Sequence, residues 1–531
     1  MSDPLARLAL FGPGQQNAVP AAEFGNKAAG LAEMAALGVP VPPGFALPIG
    51  ICQEYFKNVE VLGKDVPHLL QIGIGYIERA TGTTFGGARR PLLVSVRSGA
   101  PVSMPGIMDT ILNVGLTPST VRGLLAYTGN PRFVYDTYRR FLENYGTSIF
   151  AHAPSRYSTP LREMIKKERI ADERELDHVS LRTLCTMYEQ VYASPDQREC
   201  LNDVHRQLVQ CTVGVIRSWA SPRAKVFRNQ SLVQAATGTA VTVQAMVFGN
   251  MGASSGAGVA FTRNPWNGSR EMLIDFRFGA QGEDVVSGDR EATTQAEIEN
   301  VMPDVYRDLL QIGTRLETHF RDLQDLEFTV QEGRLYLLQS RAGKRAPLAA
   351  LQVAVDLCEE GLITHREALE RLRTIDLASL EIQTVQADEP PLAAGISASG
   401  GVAQGTIALS SVRAEKDADH GPVILVRETA SPDDIAGIDR SVGLLTACGT
   451  RTSHAAVVAR QLGKVCVVNC TALSIDASRH RCTIGTVTLR EGDLISIDGT
   501  TGAVYRGRVK VLSKRPDELI TKIRQWETPA S

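Results

Sequence analysis

The feature that most restricts the fold is a change of texture along the chain. Glycine-punctuated, strand-like stretches lie on either side of one long helical stretch. From about residue 117 to 225 the apolar residues keep a helical period, and NPRFVYDTYRRFLENYG sets Phe133, Tyr138, Phe141 and Tyr145 at helix-like spacing. Residues 1 to about 115 are rich in glycine, proline and short apolar runs, and PLLVSV (Pro91 to Val96) reads as a buried strand. Strand signals return from about 232 to 341, and helices are expected from about 347 to 374. Residues 396 to about 507 form a unit of short strands, with Leu494 to Ile497 leading into the turn Asp498-Gly499. The segment between these regions, QTVQADEPPLAAG (383–395), is polar and acidic and holds Pro390 and Pro391, so it is expected to be an interdomain linker. A tail helix from Arg515 to Trp526, with Pro516 near its start, carries Leu519, Ile520, Ile523 and Trp526 as a short apolar stripe. At 531 residues with no internal repeat, the chain is expected to be an α+β multidomain protein.

Composition narrows the function classes. With 43% hydrophobic and 21% charged residues and a net charge of -2, the chain has real cores and no electrostatic reason to bind nucleic acid in bulk. No apolar run approaches the ~20 residues of a membrane span, and the opening MSDPLARLALFGPG lacks the pattern of a signal peptide. Nine cysteines are scattered without any C-x-x-C, which reads as the reduced thiols of a cytoplasmic protein rather than a disulfide framework or zinc site.

Three constellations carry chemistry. In VSVRSGAPVSMPGIMDTILNVG (94–115) a strand is expected to deliver Arg97 into a loop with Gly99, Ser103, Gly106 and Thr110. Small residues let backbone N–H groups reach phosphate oxygens, and arginine adds a permanent planar charge. The same glycines could equally serve turns alone. No G-x-x-x-x-G-K-[ST] occurs, which excludes a Walker-type loop. In DLQDLEFTVQEGRLYLLQSR (322–341) two alternating segments flank Gln331-Glu332-Gly333. A three-residue loop there sets Asp325 opposite Gln339 and Leu323 opposite Arg341, and puts Asp325, Glu327, Gln339 and Arg341 on one face. A carboxylate beside an amide oxygen suits Mg²⁺ shared with nucleotide phosphates; the competing reading is a solvated face with one salt bridge. In CGTRTSHAAVVARQLGK (448–464) Ser453 is a good N-cap and Gly463 a good residue just past the helix end, which places His454 in the first turn. Free N–H groups and the dipole favour an anion there, so this is a good place for a histidine that becomes phosphorylated, against the plainer reading of one that packs at a helix start.

Taken in order, these segments closely resemble the pyruvate, phosphate dikinase family, and more loosely phosphoenolpyruvate synthase. The resemblance runs over nearly all of residues 20 to 510 and includes GNKAAGLAEMAALGVPVPPGF (25–45), TGNPRFVYDTYRRF (128–141), VQAMVFGNMGASSGAGVAFTRNP (243–265), AQGEDVVSG (280–288) and TSHAAVVARQLG (452–463). It implies an ATP-grasp nucleotide-binding domain with a helical insertion, followed by a swivelling phosphohistidine domain. The implied bounds are 1–116 and 232–345 for the two ATP-grasp subdomains, 117–231 for the insertion and 346–382 for a helical segment. The linker 383–395, the phosphohistidine domain at 396–507 and the tail helix at 508–531 complete the division. In the family the β-phosphoryl of ATP ends on the histidine, AMP leaves, and inorganic phosphate takes the γ-phosphoryl to give pyrophosphate. By resemblance, Lys27, Arg97 and Arg140 would contact ATP phosphates or inorganic phosphate. Gly106, Met108 and Thr110 would form a lid, and Gln244 to Phe248 would line the adenine pocket. Asp325 and Arg341 would hold the polyphosphate, Glu327 and Gln339 would hold Mg²⁺ with them, and His454 would be the nucleophile and carrier. Thr452 matches a position phosphorylated by a regulatory kinase in some relatives.

Departures from the family pattern qualify these expectations. The usual Gly-Gly before the histidine motif is Gly449-Thr450, and the usual Gly-Gly-Lys is Gly25-Asn26-Lys27. The family's phosphoenolpyruvate/pyruvate barrel needs ~250 residues, whereas 24 follow Gly507. The expected acceptor, pyruvate or another small molecule, therefore binds on a separate acceptor-domain protein. The alternatives are a phosphoenolpyruvate synthase-like or other-acceptor subunit, or an inactive nucleotide-binding regulatory protein. The tail stripe is expected either to cap its own domain or to dock a partner.

Overall fold

The computed structural model describes residues 7–58, 65–100, 108, 110–170, 172–222, 224–225, 228, 237–282, 284, 295–378, 380–387, 389–430, 434–451 and 453–527. The chain is a mixed α/β multidomain protein that divides into two compact units, Met1–Gly252 with Tyr336–Gln339, and Ala253–Leu335 with Ser340–Ser531. The boundary falls inside the stretch 232–345, because the strand Ala240–Ala245 hydrogen-bonds into the first unit's sheet.

That sheet is antiparallel, in the order Ala9–Phe11, Gly44–Leu47, Ala240–Ala245, Val94–Gly99, Thr110–Val114. Helices Ala21–Ala36, Ile49–Lys57 and Asp65–Thr81 occupy the stretch whose glycines and prolines had masked their periodicity. The helix Pro131–Phe150 follows the sequence pattern closely. Asn130 caps it by accepting the Phe133 N–H, and Phe133, Tyr138, Phe141 and Tyr145 are all buried in the unit's core.

The second unit contains a four-stranded sheet ordered Arg334–Ala342, Gln324–Gln331, Gly256–Phe261, Leu273–Phe278. It also contains an 18-residue helix, Pro303–Phe320, that the strand-like reading of 232–341 missed. Its buried Val305, Leu309, Ile312 and Leu316 recur at helical spacing. Farther on lies an eight-stranded sheet whose centre is parallel, with Val402–Ala408, Val423–Arg427, Gly443–Thr446 and Val465–Val468 in sequential order. Helices Ser411–Asp417, Ile435–Arg440 and His454–Gln461 connect them. Both faces of this sheet are covered: Ile424, Val426, Leu445 and Val467 enter one core, and Val423, Leu425, Leu444 and Cys466 the other. Two-sided burial is what makes VILV and VCVV read as unbroken apolar runs.

The segment expected to be a bare linker is partly sheet. Ile382–Gln386 pairs antiparallel with Lys510–Lys514, and Ala393–Ala394 pairs with Ala503–Val504. The prolines lie between these strands, where no ladder donor is needed. The tail helix is observed as Asp517–Glu527, and its stripe is not free for a partner. Ile520 and Ile523 are buried with Leu519 and Trp526 in a core shared with Leu351, Leu357 and Leu372, and Trp526 stacks on His365 at 4.6 Å between ring centroids. No helix among the described residues is long and apolar enough to cross a membrane. Ile523→Ala removes a fully buried side chain from this core and is expected to destabilise the chain by about 2–5 kcal/mol, read as a lowered midpoint in urea unfolding.

Candidate functional site

In the first unit, Arg97 lies within the strand Val94–Gly99 rather than in a loop, directly opposite Thr110 on one side and Thr242 on the other. Ladder pairing to both neighbours extends the strand to Gly99, farther than the apolar run suggests. Ser103, Gly106 and Thr452 lie outside the described residues. Gly25 shows why this corner is built from glycine. It breaks the helix Ala21–Ala36 with φ 76°, and a Cβ there would stand 1.8 Å from the carbonyl oxygen of Gly99. This contact sets the turn of helix carrying Lys27 against the end of the Arg97 strand. Met108 packs against the core, with the Ser218 hydroxyl 3.7 Å from its sulfur.

Arg140 is held in an ion network. Its Nε donates to Asp136 at 3.1 Å and its Nη2 to Glu173 at 3.3 Å. Burial opposes ionisation of Asp136, but the guanidinium groups of Arg140 and Arg139 override it and hold the carboxyl below the usual range. Gln244 is buried on the strand Ala240–Ala245. Its Nε2 donates to the Pro42 carbonyl at 3.0 Å, while its Oε1, also buried, accepts no hydrogen bond among the described residues. An acceptor left in this state fits a ligand N–H group.

In the second unit, Asp325 and Glu327 lie two residues apart on one face of the strand Gln324–Gln331, opposite Phe261 and Val259. The turn to the next strand has two residues, Glu332 and Gly333, both with positive φ, not the three expected. The pairing farther along the two strands also differs from the one expected. The Gly343 N–H meets the Leu323 carbonyl, and Arg341 meets Asp325, with Nε donating to Oδ2 at 2.8 Å. Arg341 Nη2 lies 4.0 Å from Glu327, and Gln339 lies two residues back on the same strand.

Asp325 is only 7% exposed, and its Oδ1 accepts nothing among the described residues. Burial raises its pKa in spite of the Arg341 charge. Burial works against the charge of Arg341 too, but Asp325 and Glu327 raise its pKa on balance. Lys344 is pushed down by burial and by Arg341. No group of three or more His, Cys, Asp or Glu side chains is placed to hold a metal ion among the described residues. The carboxylates of Asp325 and Glu327 instead suit an ion that takes its remaining ligands from phosphate and water.

Ser453 caps the helix His454–Gln461 through the Ala456 N–H, and Gly463, at φ 66°, follows its end. His454 is the first helical residue, in the connection leaving the carboxyl end of the parallel strand Gly443–Thr446, where open sheets place their ligands. Thr450, which stands where the family has glycine, is accommodated at 1% exposure. Arg460 and Trp266 were not singled out from sequence. The available signals were an arginine on the apolar side of AAVVARQL and one of only three tryptophans.

A sequence profile described as the pyruvate phosphate dikinase AMP/ATP-binding domain matches residues 59–300 and 290–359, and one described as the PEP-utilising enzyme mobile domain matches residues 420–502. Pyruvate, phosphate dikinase of Clostridium symbiosum is 40% identical over 95% of this chain and 58% of its own length. The Rhizobium meliloti protein of the same name is 39% identical over 97% of this chain and 59% of its own. The chloroplastic pyruvate, phosphate dikinase 1 of Zea mays is 41% identical over 91% and 52%. The chain therefore spans a little over half the length of these relatives.

The Asp325–Arg341 pair yields a stability test. Arg341→Met leaves a buried carboxylate without its cation, and because Arg341 is itself 36% exposed the loss is expected to be about 1–3 kcal/mol, below that of a fully buried pair. Adding Asp325→Asn removes the stranded charge and is expected to recover at least part of the loss in denaturant unfolding at pH 7.

Proposed function

The chain belongs to the pyruvate, phosphate dikinase family, and on that premise we propose that it moves a phosphoryl group from ATP to His454. A ring nitrogen of His454 bonds to the β-phosphorus as the bond from that phosphorus to the AMP oxygen breaks. Inorganic phosphate then takes the γ-phosphoryl group as pyrophosphate, and one phosphoryl group stays on nitrogen. Pyruvate, the substrate in the relatives' names, is the proposed acceptor in the next step.

The observation that carries this reading is Asp325, a buried carboxylate with one oxygen bound by Arg341 and the other accepting nothing among the described residues. Leaving such an atom unsatisfied is costly, and a cation resolves the cost. Asp325, Glu327 and Gln339 would hold Mg²⁺, which when bound neutralises the charge of the polyphosphate. Arg341 binds phosphate oxygens and keeps Asp325 oriented. Lys27, Arg97 and Arg140 take the remaining phosphate charge, with Gly106, Met108 and Thr110 as the lid. The unpaired Oε1 of Gln244 supports an adenine site, since it can accept from the exocyclic amino group. An ATP-grasp core with a swivelling carrier domain fits these roles.

The second reading, a nucleotide-binding regulator without turnover, is favoured by Thr450 together with the share of the relatives' length that the chain spans. Against the first point, the Thr450 side chain is buried without displacing Gly449, which keeps a positive φ.

The test is incubation with Mg²⁺, phosphate and ATP labelled at the β-phosphoryl group. Acid-labile label on the chain, accompanied by AMP and pyrophosphate and absent from His454→Ala, is expected. Adding pyruvate, alone or with a candidate acceptor-domain protein, is expected to discharge it. ATP binding with no label would sink the phosphohistidine reading, and label that pyruvate never discharges would sink pyruvate as acceptor.

A further inference from the structure

Arg460 is a buried cation, 8% exposed, on the helix that begins with His454. No carboxylate among the described residues forms an ion pair with it. Its Nε and Nη2 donate to the Ala398 carbonyl at 3.3 and 3.0 Å, and Nη2 also donates to the Arg451 carbonyl at 2.9 Å. These bonds lie in the guanidinium plane and leave its faces for rings. Its central carbon stands 5.6 Å from the ring centroids of both Phe261 and Trp266. Arg451, three residues before His454, stands 5.8 Å from the same Trp266 ring. Two arginines flanking the histidine in sequence thus meet one indole.

The loop that carries that indole is fixed through its backbone. The backbone N–H of Trp266 donates to Asn264 Oδ1 at 3.0 Å, and the Gly268 N–H donates to the Asn264 carbonyl at 2.9 Å. The Ala346 N–H donates to the Pro265 carbonyl at 2.8 Å. The loop continues the strand Gly256–Phe261, and Phe261 is the residue directly opposite Asp325. The histidine helix therefore meets the strand beside the proposed nucleotide edge through guanidinium groups placed over aromatic rings. The two carbonyl bonds alone would not call for a buried charge, because a neutral donor could serve them. The charge is explained by the rings, whose negative faces attract a desolvated cation.

We propose that Trp266 is the seat on which the histidine-bearing helix is positioned for phosphoryl transfer, with Arg460 and Arg451 as the groups that settle onto it. The inference rests on the phosphohistidine reading above. Trp266, Arg451 and Arg460 act here as positioning residues. They orient the carrier and touch neither ATP nor the reacting phosphorus. Contacts of this kind are non-covalent and reversible, as a carrier that must leave after loading requires.

The test is single-turnover labelling of His454 at saturating ATP, with ATP affinity measured separately. Trp266→Leu keeps an apolar side chain but removes the aromatic face, and is expected to slow labelling about tenfold while leaving ATP affinity unchanged. Trp266→Phe restores a face and is expected to recover most of the rate. Arg460→Lys keeps the charge but lacks the forked group that faces two rings while reaching both carbonyls, so it is expected to be slow as well; it carries the test if the leucine variant does not fold. Wild-type labelling by Trp266→Leu or Arg460→Lys would overturn the proposal, as would equal slowing by Trp266→Leu and Trp266→Phe, which would show volume rather than the face to matter. An unlabelled wild-type chain is a different result, because it removes the phosphohistidine reading itself and this inference with it.

Discussion

Keeping charge inside the second unit is the constraint around which its architecture is arranged. Asp325 sits on an inner strand, where burial works against its ionised form, and it stays in place because Arg341 reaches it from the neighbouring strand. The same logic recurs one strand over. Arg263, just past the end of Gly256–Phe261, is buried against Glu317 of the helix Pro303–Phe320 and against Asp356 and Glu360 at the end of Pro347–Glu359. Paired charges of this kind add little net stability over apolar packing, but each is costly to strand, so they hold their elements to one arrangement. The strand end from Phe261 to Arg263 is fixed on one side by ion pairs and on the other by guanidinium groups placed over rings.

How legible these elements were in the sequence depended on how local their causes are. The helix Pro131–Phe150 could be read because its cap, first-turn proline and buried aromatic residues all lie within it. Pro303–Phe320 was passed over although its apolar spacing is equally regular, because the glycine-rich strands around it set the texture of the whole stretch. Ile382–Gln386 could not be read as a strand at all. Three of its five residues are β-branched, but two glutamines interrupt them and its partner lies at 510–514, so nothing nearby in sequence signals the pairing. The turn differs from the one expected because Glu332 takes a positive φ that a non-glycine residue seldom adopts.

The candidate site divides in the same way. Ser453, His454 and Gly463 took their places from capping rules, which need only neighbours in sequence. Asp325 and Arg341 were grouped correctly although the register was not, because a two-residue shift along a strand keeps side chains on the same face. The unsatisfied oxygens of Asp325 and Gln244 and the guanidinium groups over Trp266 were invisible, since each depends on what the folded chain brings or fails to bring within a few ångströms.

The pairing of Ile382–Gln386 with Lys510–Lys514 has a mechanical consequence. The chain enters the eight-stranded sheet domain just after Gln386 and leaves it just before Lys510, and these two residues face each other across the ladder. The covalent path into and out of the residues between them runs through a single two-stranded stem. A body tethered at two distant points is clamped, and one on a single unpaired strand tumbles freely. A ribbon of two hydrogen-bonded strands does neither, because it bends more easily across its flat face than along its edge. On the proposal that this domain is the carrier, the stem would act as a leaf spring that restricts it to an arc, with a stiffness set by the side chains of the ten ladder residues.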